Sequence, residues 1–163
     1  QGKGRHPHDH NRDYSLYGEE VYPEIRQIEA LAKVEKPAVL IDLHSPWIGG
    51  PKRWESSFYQ VGSARPDCWA QQQAFAKLLA KGTSGLYRVG NDIPPGVDWN
   101  GGGSSQKNPR TADGWWRAAL PKSFSTCFEI PFANDGDKTL GPDDWKAFGR
   151  DIAVAIREWL RTH

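Results

Sequence analysis

The run PAVLIDLH, Pro37 to His44, decides how the rest of the chain is read. It is short and apolar, carries β-branched Val39 and Ile41, follows the helix-stopping step Lys36-Pro37, and gives way to Ser45-Pro46 and then Gly49-Gly50. An apolar run of this length between turn residues is expected to be a buried strand. Its C-terminal end is then where a sheet flanked by helices places its ligands. Asp42 and His44, two residues apart, share one face of such a strand.

Upstream of this run, Val21, Ile25, Ile28 and Leu31 or Ala32 recur at helical spacing, with Pro23 suited to a first turn and Glu19 and Glu20 to the positive end of the helix dipole. The spacing predicts a helix of about four turns that ends at Lys36-Pro37. The first 18 residues, polar and without period, read as a loop, and polar loops in compact domains are often functional. Downstream, a segment rich in aromatics (Trp47, Trp54, Phe58, Tyr59) reads as a loop. Residues 66 to 81 form a second helix with Trp69, Phe75, Leu78 and Leu79 inward and Gly82 as its C-cap.

Leu86 to Val89 reads as a short strand, and Asn91 to Arg110, dominated by Gly, Pro, Ser and Asn, as a long mobile loop. Trp115 to Leu120 suits a helical turn, and Ser123 to Phe132 a strand. Pro142 to Leu160 is the clearest helix, with Trp145, Phe148, Ile152, Ile156 and Trp159 on one face. Helices alternating with strands predict α/β layers whose remaining strands are short or missing.

Composition narrows the function. The 163 residues carry 21 Lys and Arg against 20 Asp and Glu, two Cys, eight Trp and no Met. That length fits one soluble domain, and 37% hydrophobic with 12% aromatic content suffices for a core. A formal net charge of +1 supplies no footprint for a phosphate backbone, which argues against nucleic acid as a partner. No window approaches the 18 consecutive apolar residues of a membrane span. Two cysteines, Cys68 and Cys127, are not expected to make a disulfide framework or a four-ligand zinc site; one bridge needs the fold to bring them together. With no Met in the chain, Gln1 is expected to be the product of processing, proteolysis or truncation.

Four groups stand out chemically. His44, at a strand end with Asp42 on the same side, is placed to ligate a metal; a core histidine held by a backbone partner is the plainer reading. Glu129 lies in Cys127-Phe128-Glu129-Ile130-Pro131-Phe132, where burial tunes a carboxylate toward general-base work unless it serves a structural ion pair. His6, His8 and His10 would share one face of an extended strand as metal ligands, although the run is one residue short of the His-x-His-x-Asp-His pattern of metallo-β-lactamase-like hydrolases. Asn11-Arg12 suits a grip on a carboxylate or phosphate, or else a turn with a solvated Arg. Phosphate-loop, dinucleotide, redox and serine-hydrolase motifs are all absent.

Taken in order, Asp9-His10-Asn11-Arg12-Asp13-Tyr14, Ile41-Asp42-Leu43-His44-Ser45 and Phe128-Glu129-Ile130-Pro131 resemble the second half of a zinc metallocarboxypeptidase domain of the carboxypeptidase A type. The resemblance extends over nearly all of the chain, and the run from Gly2 to Tyr14 is similar to a bacterial subgroup. It implies a three-layer α/β/α fold with a mixed central sheet, residues 1–163 being the C-terminal portion of one catalytic domain. It also implies zinc as cofactor and a peptide or peptide-like substrate. His44 would be the third zinc ligand and Glu129 the general base and acid. Asn11 and Arg12 would clamp the substrate's C-terminal carboxylate, and Arg5 would polarise the scissile carbonyl.

The family takes its other two zinc ligands from a His-x-x-Glu motif, and no His here is followed three residues later by Glu. Those ligands are expected upstream of Gln1, on a segment that is a partner if it is a separate chain, and the chain alone is expected to be inactive. The family's capping tyrosine also has no counterpart, since all five Tyr lie at or before Tyr87. The loop from Asn91 to Arg110 and Trp115-Trp116 occupy the expected region, so a different group caps the pocket or none does; Asp113 and the two tryptophans are the pocket candidates. An amidase acting on cell-wall or modified peptides is a variant of this expectation. A non-catalytic module that holds acidic peptide ends is its rival.

Overall fold

Alternation in Phe124-Ser125-Thr126-Cys127-Phe128-Glu129 gives the central strand two unlike faces, and the layers follow from them. The computed structural model describes residues 6–46, 52–101 and 110–163, leaving the side chains of Lys52 and Arg53 undescribed. In chain order the elements are α1 (Pro23–Glu35), β1 (Val39–His44), α2 (Lys52–Glu55), β2 (Tyr59–Val61), α3 (Pro66–Leu79), α4 (Ala112–Ala119), β3 (Phe124–Glu129), the hairpin β4 (Asn134–Asp135) and β5 (Lys138–Thr139), and α5 (Pro142–Thr162). The main sheet runs β1-β3-β2, with β3 parallel to β1 and antiparallel to β2. Phe124 and Phe128 point to one side, into a buried cluster with Phe75 of α3 and Phe148 and Trp159 of α5. On the other side α4 and α1 pack together through Trp115, Trp116, Ala32 and Leu40. The result is a mixed sheet between helical layers, an α/β/α arrangement of general type.

α5 matches its expected amphipathic face: Phe148, Ile152 and Trp159 are buried, and Trp145 and Ile156 pack at the margin. Its first turn is closed by the Asp144 carboxylate, which accepts the Gly141 N–H at 2.9 Å. α1 corrects the expectation. Ile25, Glu29 and Ala32 are buried, while Val21, Ile28 and Leu31 are exposed. Its sequence carries two apolar stripes, and the one with small Ala32 lets the helix approach Trp115, while Glu29 accepts the Ser15 N–H at 2.8 Å. The helix ends where expected, on Lys36 in a left-handed conformation (φ +46) whose N–H bonds to Ala32.

Other expectations shift for local reasons. β1 is an outer strand of the sheet among the described residues, and its side chains are half-buried with Leu43 exposed, where a buried strand was expected. Tyr59, expected in a loop, opens β2, and Trp47 lies outside the described residues. Gly82 is not a left-handed cap, because α3 ends through Ala80 in the helical region. Glycine is needed at Gly82 since a Cβ there would overlap the Asp151 carboxylate, which accepts the N–H groups of Thr83 and Ser84 and ties α5 to the end of α3.

Leu86 to Val89 makes only a bridge from Tyr87 to Phe58 before a 3-10 turn at Val89–Asn91. The described part of the expected mobile loop is pinned rather than loose. Ile93 is buried and bridges Val61, and the Asn100 amide donates to the carbonyls of Gly62, Ile93 and Pro94. Residues 102–109 of that loop lie outside the described residues. Cys68 and Cys127 are not bridged. No helix among the described residues is long and apolar enough to cross a membrane.

Candidate functional site

Parallel register between β1 and β3 sets Asp42 opposite Cys127 and His44 opposite Glu129. Because strand side chains alternate, all four project from the face opposite the phenylalanines. They form a two-by-two block at the C-terminal ends of both strands, the position at which α/β sheets bind ligands. The donor atoms of Asp42, His44 and Cys127 lie within 4.8 Å of one another. These are the imidazole, carboxylate and thiol groups that transition metals take.

The N-terminal loop closes one side of the block. A 3-10 turn at His10–Arg12 presents Asn11, whose Oδ1 accepts the Ala112 N–H at 2.8 Å at the start of α4. That bond fixes the amide so that Nδ2 faces His44 Nε2 at 3.2 Å. Below the turn, fully buried Asp13 accepts the N–H groups of Val21 and Tyr22 and meets His8 Nε2 at 2.6 Å. Burial pushes the Asp13 carboxyl up, but these donors outweigh it and hold the pKa below the usual carboxylate range. Arg110 fastens the same turn from α4's side by donating to the Arg12 carbonyl at 3.1 Å.

Together these elements enclose a pocket of about 100 Å³. Asn11, Arg12, His44 and Glu129 line it with Asp42, Cys127 and Asp113, while Val61 and Trp99 form an apolar side. Asp113 is paired with Arg117 at 2.5 Å and accepts the Ser125 hydroxyl at 2.9 Å. Burial raises the Asp113 carboxyl, and Arg117 and Ser125 act against that shift. His44 is held above the usual imidazole range, first by its hydrogen bond to Asp42 against the cost of burial, then by the charges of Asp42 and Glu129, with Arg12 opposing. Burial pushes the Cys127 thiol well above its ordinary value, and Asp42 and Glu129 add to this. Tyr59, beside Glu129 in register and bonded to Trp99, is likewise driven up by burial.

The structure therefore brings Asn11, Arg12, His44 and Glu129 from three distant segments to one pocket. Arg5 lies outside the described residues. The three N-terminal histidines are not a ligand set: His8 is engaged by Asp13, His10 by Glu24 at 2.5 Å, and the run is a loop with a 3-10 turn instead of an extended strand. Trp115 and Trp116 are core residues, with the Trp115 indole donating to the Ser15 carbonyl at 3.1 Å, so neither serves the pocket. Asp113 does line it.

Sequence reasoning considers Cys127 only as half of a disulfide and places neither it nor Trp99 in the pocket. Cys127 had a signal, since it stands two residues before Glu129 on an alternating strand. Trp99 had none, because its segment carries no period and its position depends on the Asn100 side-chain amide donating to the Gly62 carbonyl just past β2.

The fold and the site define a mixed α/β protein with a polar, carboxylate-rich pocket at the C-terminal ends of its parallel strands. No protein-family model matches the chain, and no curated protein matches it.

Proposed function

We propose that this pocket hydrolyses a peptide or amide bond near a free carboxylate, with zinc as cofactor, in the manner of a carboxypeptidase or a related amidase. The observation that carries the reading is the convergence of Asn11, Arg12, His44 and Glu129 on one pocket. These four were singled out for separate chemical reasons, and together they supply a carboxylate grip, a metal ligand and a base. The donor set suits zinc, since the His44 imidazole stands among a carboxylate and a thiol within 4.8 Å. Within this chain the donors beside His44 are Asp42 and Cys127.

When bound, zinc supplies a Lewis acid that polarises a carbonyl and brings the pKa of water to about 7. Arg12 holds the substrate carboxylate with its planar pair of N–H donors. Asn11 keeps its carbonyl on Ala112 and offers its second amide N–H to the same carboxylate. Glu129 takes the proton from the attacking water and returns it to the leaving amine. Fixing the terminal carboxylate sets which bond lies beside Glu129, and Trp99 with Val61 forms the wall for the adjacent side chain.

The test is hydrolysis of a peptide with a free C-terminus against the same peptide ending in a carboxamide, with zinc supplied. The reading expects cleavage of the first only, lost in Glu129→Gln while zinc and peptide are still bound. Zinc-independent binding of the free carboxylate without cleavage would replace it with the binding-module reading.

A further inference from the structure

We infer that Asp42, His44 and Cys127 form a metal centre contained within this chain, taking one zinc-type divalent ion with its open side toward the pocket. The inference rests on the hydrolytic reading for what the ion does, and on the geometry for where it sits.

The contacts of His44 Nε2 are the first ground. The bond from the Ala112 N–H to Asn11 Oδ1 turns the Asn11 amide N–H toward this nitrogen, while Asp42 Oδ2 stands 3.1 Å from it. One ring nitrogen cannot satisfy both neighbours. With a proton it suits the carboxylate and opposes the amide donor. Without one it accepts from the amide and sets two lone pairs against each other. A cation shared by Nε2 and the carboxylate removes the second conflict and releases the Asn11 amide toward the pocket, where the substrate carboxylate is to be held.

Separation and donor type are the second ground. Tetrahedral zinc bonds to nitrogen and oxygen of about 2.0–2.2 Å put two donors about 3.4 Å apart, and the Asp42 and His44 atoms, at 3.1 Å, need to part by only a few tenths of an ångström. Cys127, opposite Asp42 in register, has its sulfur within 4.8 Å of both and needs to close by about 1 Å for a bond of about 2.3 Å. Nitrogen, oxygen and sulfur together select a zinc-type ion over magnesium or calcium. Three protein ligands with an open position are the pattern of a catalytic centre, whereas structural zinc is closed by four. Charge agrees: Asp42, Asp113 and Glu129 line the pocket against Arg12, with Arg117 pairing Asp113.

Cobalt(II) titration of the metal-free 163-residue chain tests this. The expected result is one cobalt per chain with a near-ultraviolet sulfur-to-cobalt charge-transfer band, bleached when zinc displaces the cobalt. Cys127→Ser is expected to lose the band and about 100-fold or more in affinity, since even outer partners of metal ligands are worth about 10- to 100-fold. Cys68→Ser should leave both unchanged. Asp42→Asn should keep the band and weaken binding. No stoichiometric cobalt binding, cobalt binding without the sulfur band, or unchanged affinity in Cys127→Ser would overturn the inference. A Cys127-dependent band without peptide cleavage would uphold the metal centre and sink the hydrolytic reading. Glu129-dependent cleavage with metal affinity indifferent to Cys127 would do the reverse.

Discussion

The two faces of β3 divide its six residues between opposite uses. Toward α3 and α5, Phe124 and Phe128 sit in an aromatic box, the Phe124 ring tilted against Trp159 with centroids 4.6 Å apart and Phe128 edge-on to Phe148 at 6.0 Å. Toward α4, Ser125, Cys127 and Glu129 meet Asp113, Asp42 and His44. The first face is apolar and closed, so it contributes through area removed from water and through ring contacts. The second brings charges together at a cost in desolvation that folding alone does not require. A strand whose stability is secured on one side can carry polar chemistry on the other.

Neighbouring substitutions should separate the two roles. Phe128→Ala, in the box, is expected to lower unfolding free energy by about 3–5 kcal/mol, read from denaturant unfolding, because it leaves a cavity among rings that cannot close up. One residue further on, Glu129→Gln is expected to leave the unfolding midpoint nearly unchanged while cutting hydrolysis by about 10²- to 10⁴-fold, the usual scale for a positioned base. If Glu129→Gln instead unfolded the protein as Phe128→Ala does, the division between the faces would be wrong.

The grip on the substrate should show a smaller effect. Arg12→Ala is expected to weaken binding of a free-carboxylate peptide by about 1.5–3 kcal/mol, the worth of hydrogen bonds to a charged group. A carboxamide peptide should bind the native protein and Arg12→Ala about equally, by calorimetry. Equal losses for both peptides would mean that Arg12 supports the loop and does not read the carboxylate.

Two carboxylates outside the catalytic face, Asp13 fully buried and Asp92 half-buried, offer a contrast in pH. Asp13 has its pKa held down by backbone donors, so its contribution is complete above the ordinary carboxylate pKa and is lost as pH falls through the lowered value. Asp92 is pushed up to about 7, by burial first, although Tyr87 and the Gln60 N–H donate to it. Between about pH 4 and 7 the native protein therefore holds a proton that the unfolded chain has released, and this group makes stability fall as pH rises through that window. Thermal melts should show the fall, and Asp92→Asn should flatten it. A profile unchanged in Asp92→Asn would place the responsible group elsewhere.

What was legible in the sequence follows from how local each signal is. β1, β3 and α5 could be read because period and turn residues sit within the segment itself, and the same patterns put Asp42 and His44 on one face. The pairing of His44 with Glu129 could not be read, since the register of two distant strands is set by packing of the whole sheet. Trp99 was invisible for a related reason: its segment is held by the Asn100 side-chain amide on the Gly62 carbonyl and by the Ile93 backbone on β2, contacts that carry no period. The N-terminal histidines misled because alternation in sequence resembles a strand, whereas Asp13 and Glu24 each draw one histidine in a different direction.

α1 gives the smallest effect and the finest test of how a helix face is chosen. Ile28, Leu31 and Val34 follow one another at three-residue spacing on the exposed side, with Leu31 at 62% exposure, while Ile25 on the other side is buried. Periodicity alone cannot rank these stripes, because both are apolar and both recur at helical spacing. What ranks them is contact with the rest of the fold: Ala32 is small enough to bring the helix onto Trp115, and Glu29 accepts the Ser15 N–H on that same side. Leu31→Gln should therefore change unfolding free energy by less than about 0.5 kcal/mol, as surface positions do. Ile25→Ala should cost about 2–5 kcal/mol, as buried isoleucines do. A large loss in Leu31→Gln would mean that this stripe is covered in solution.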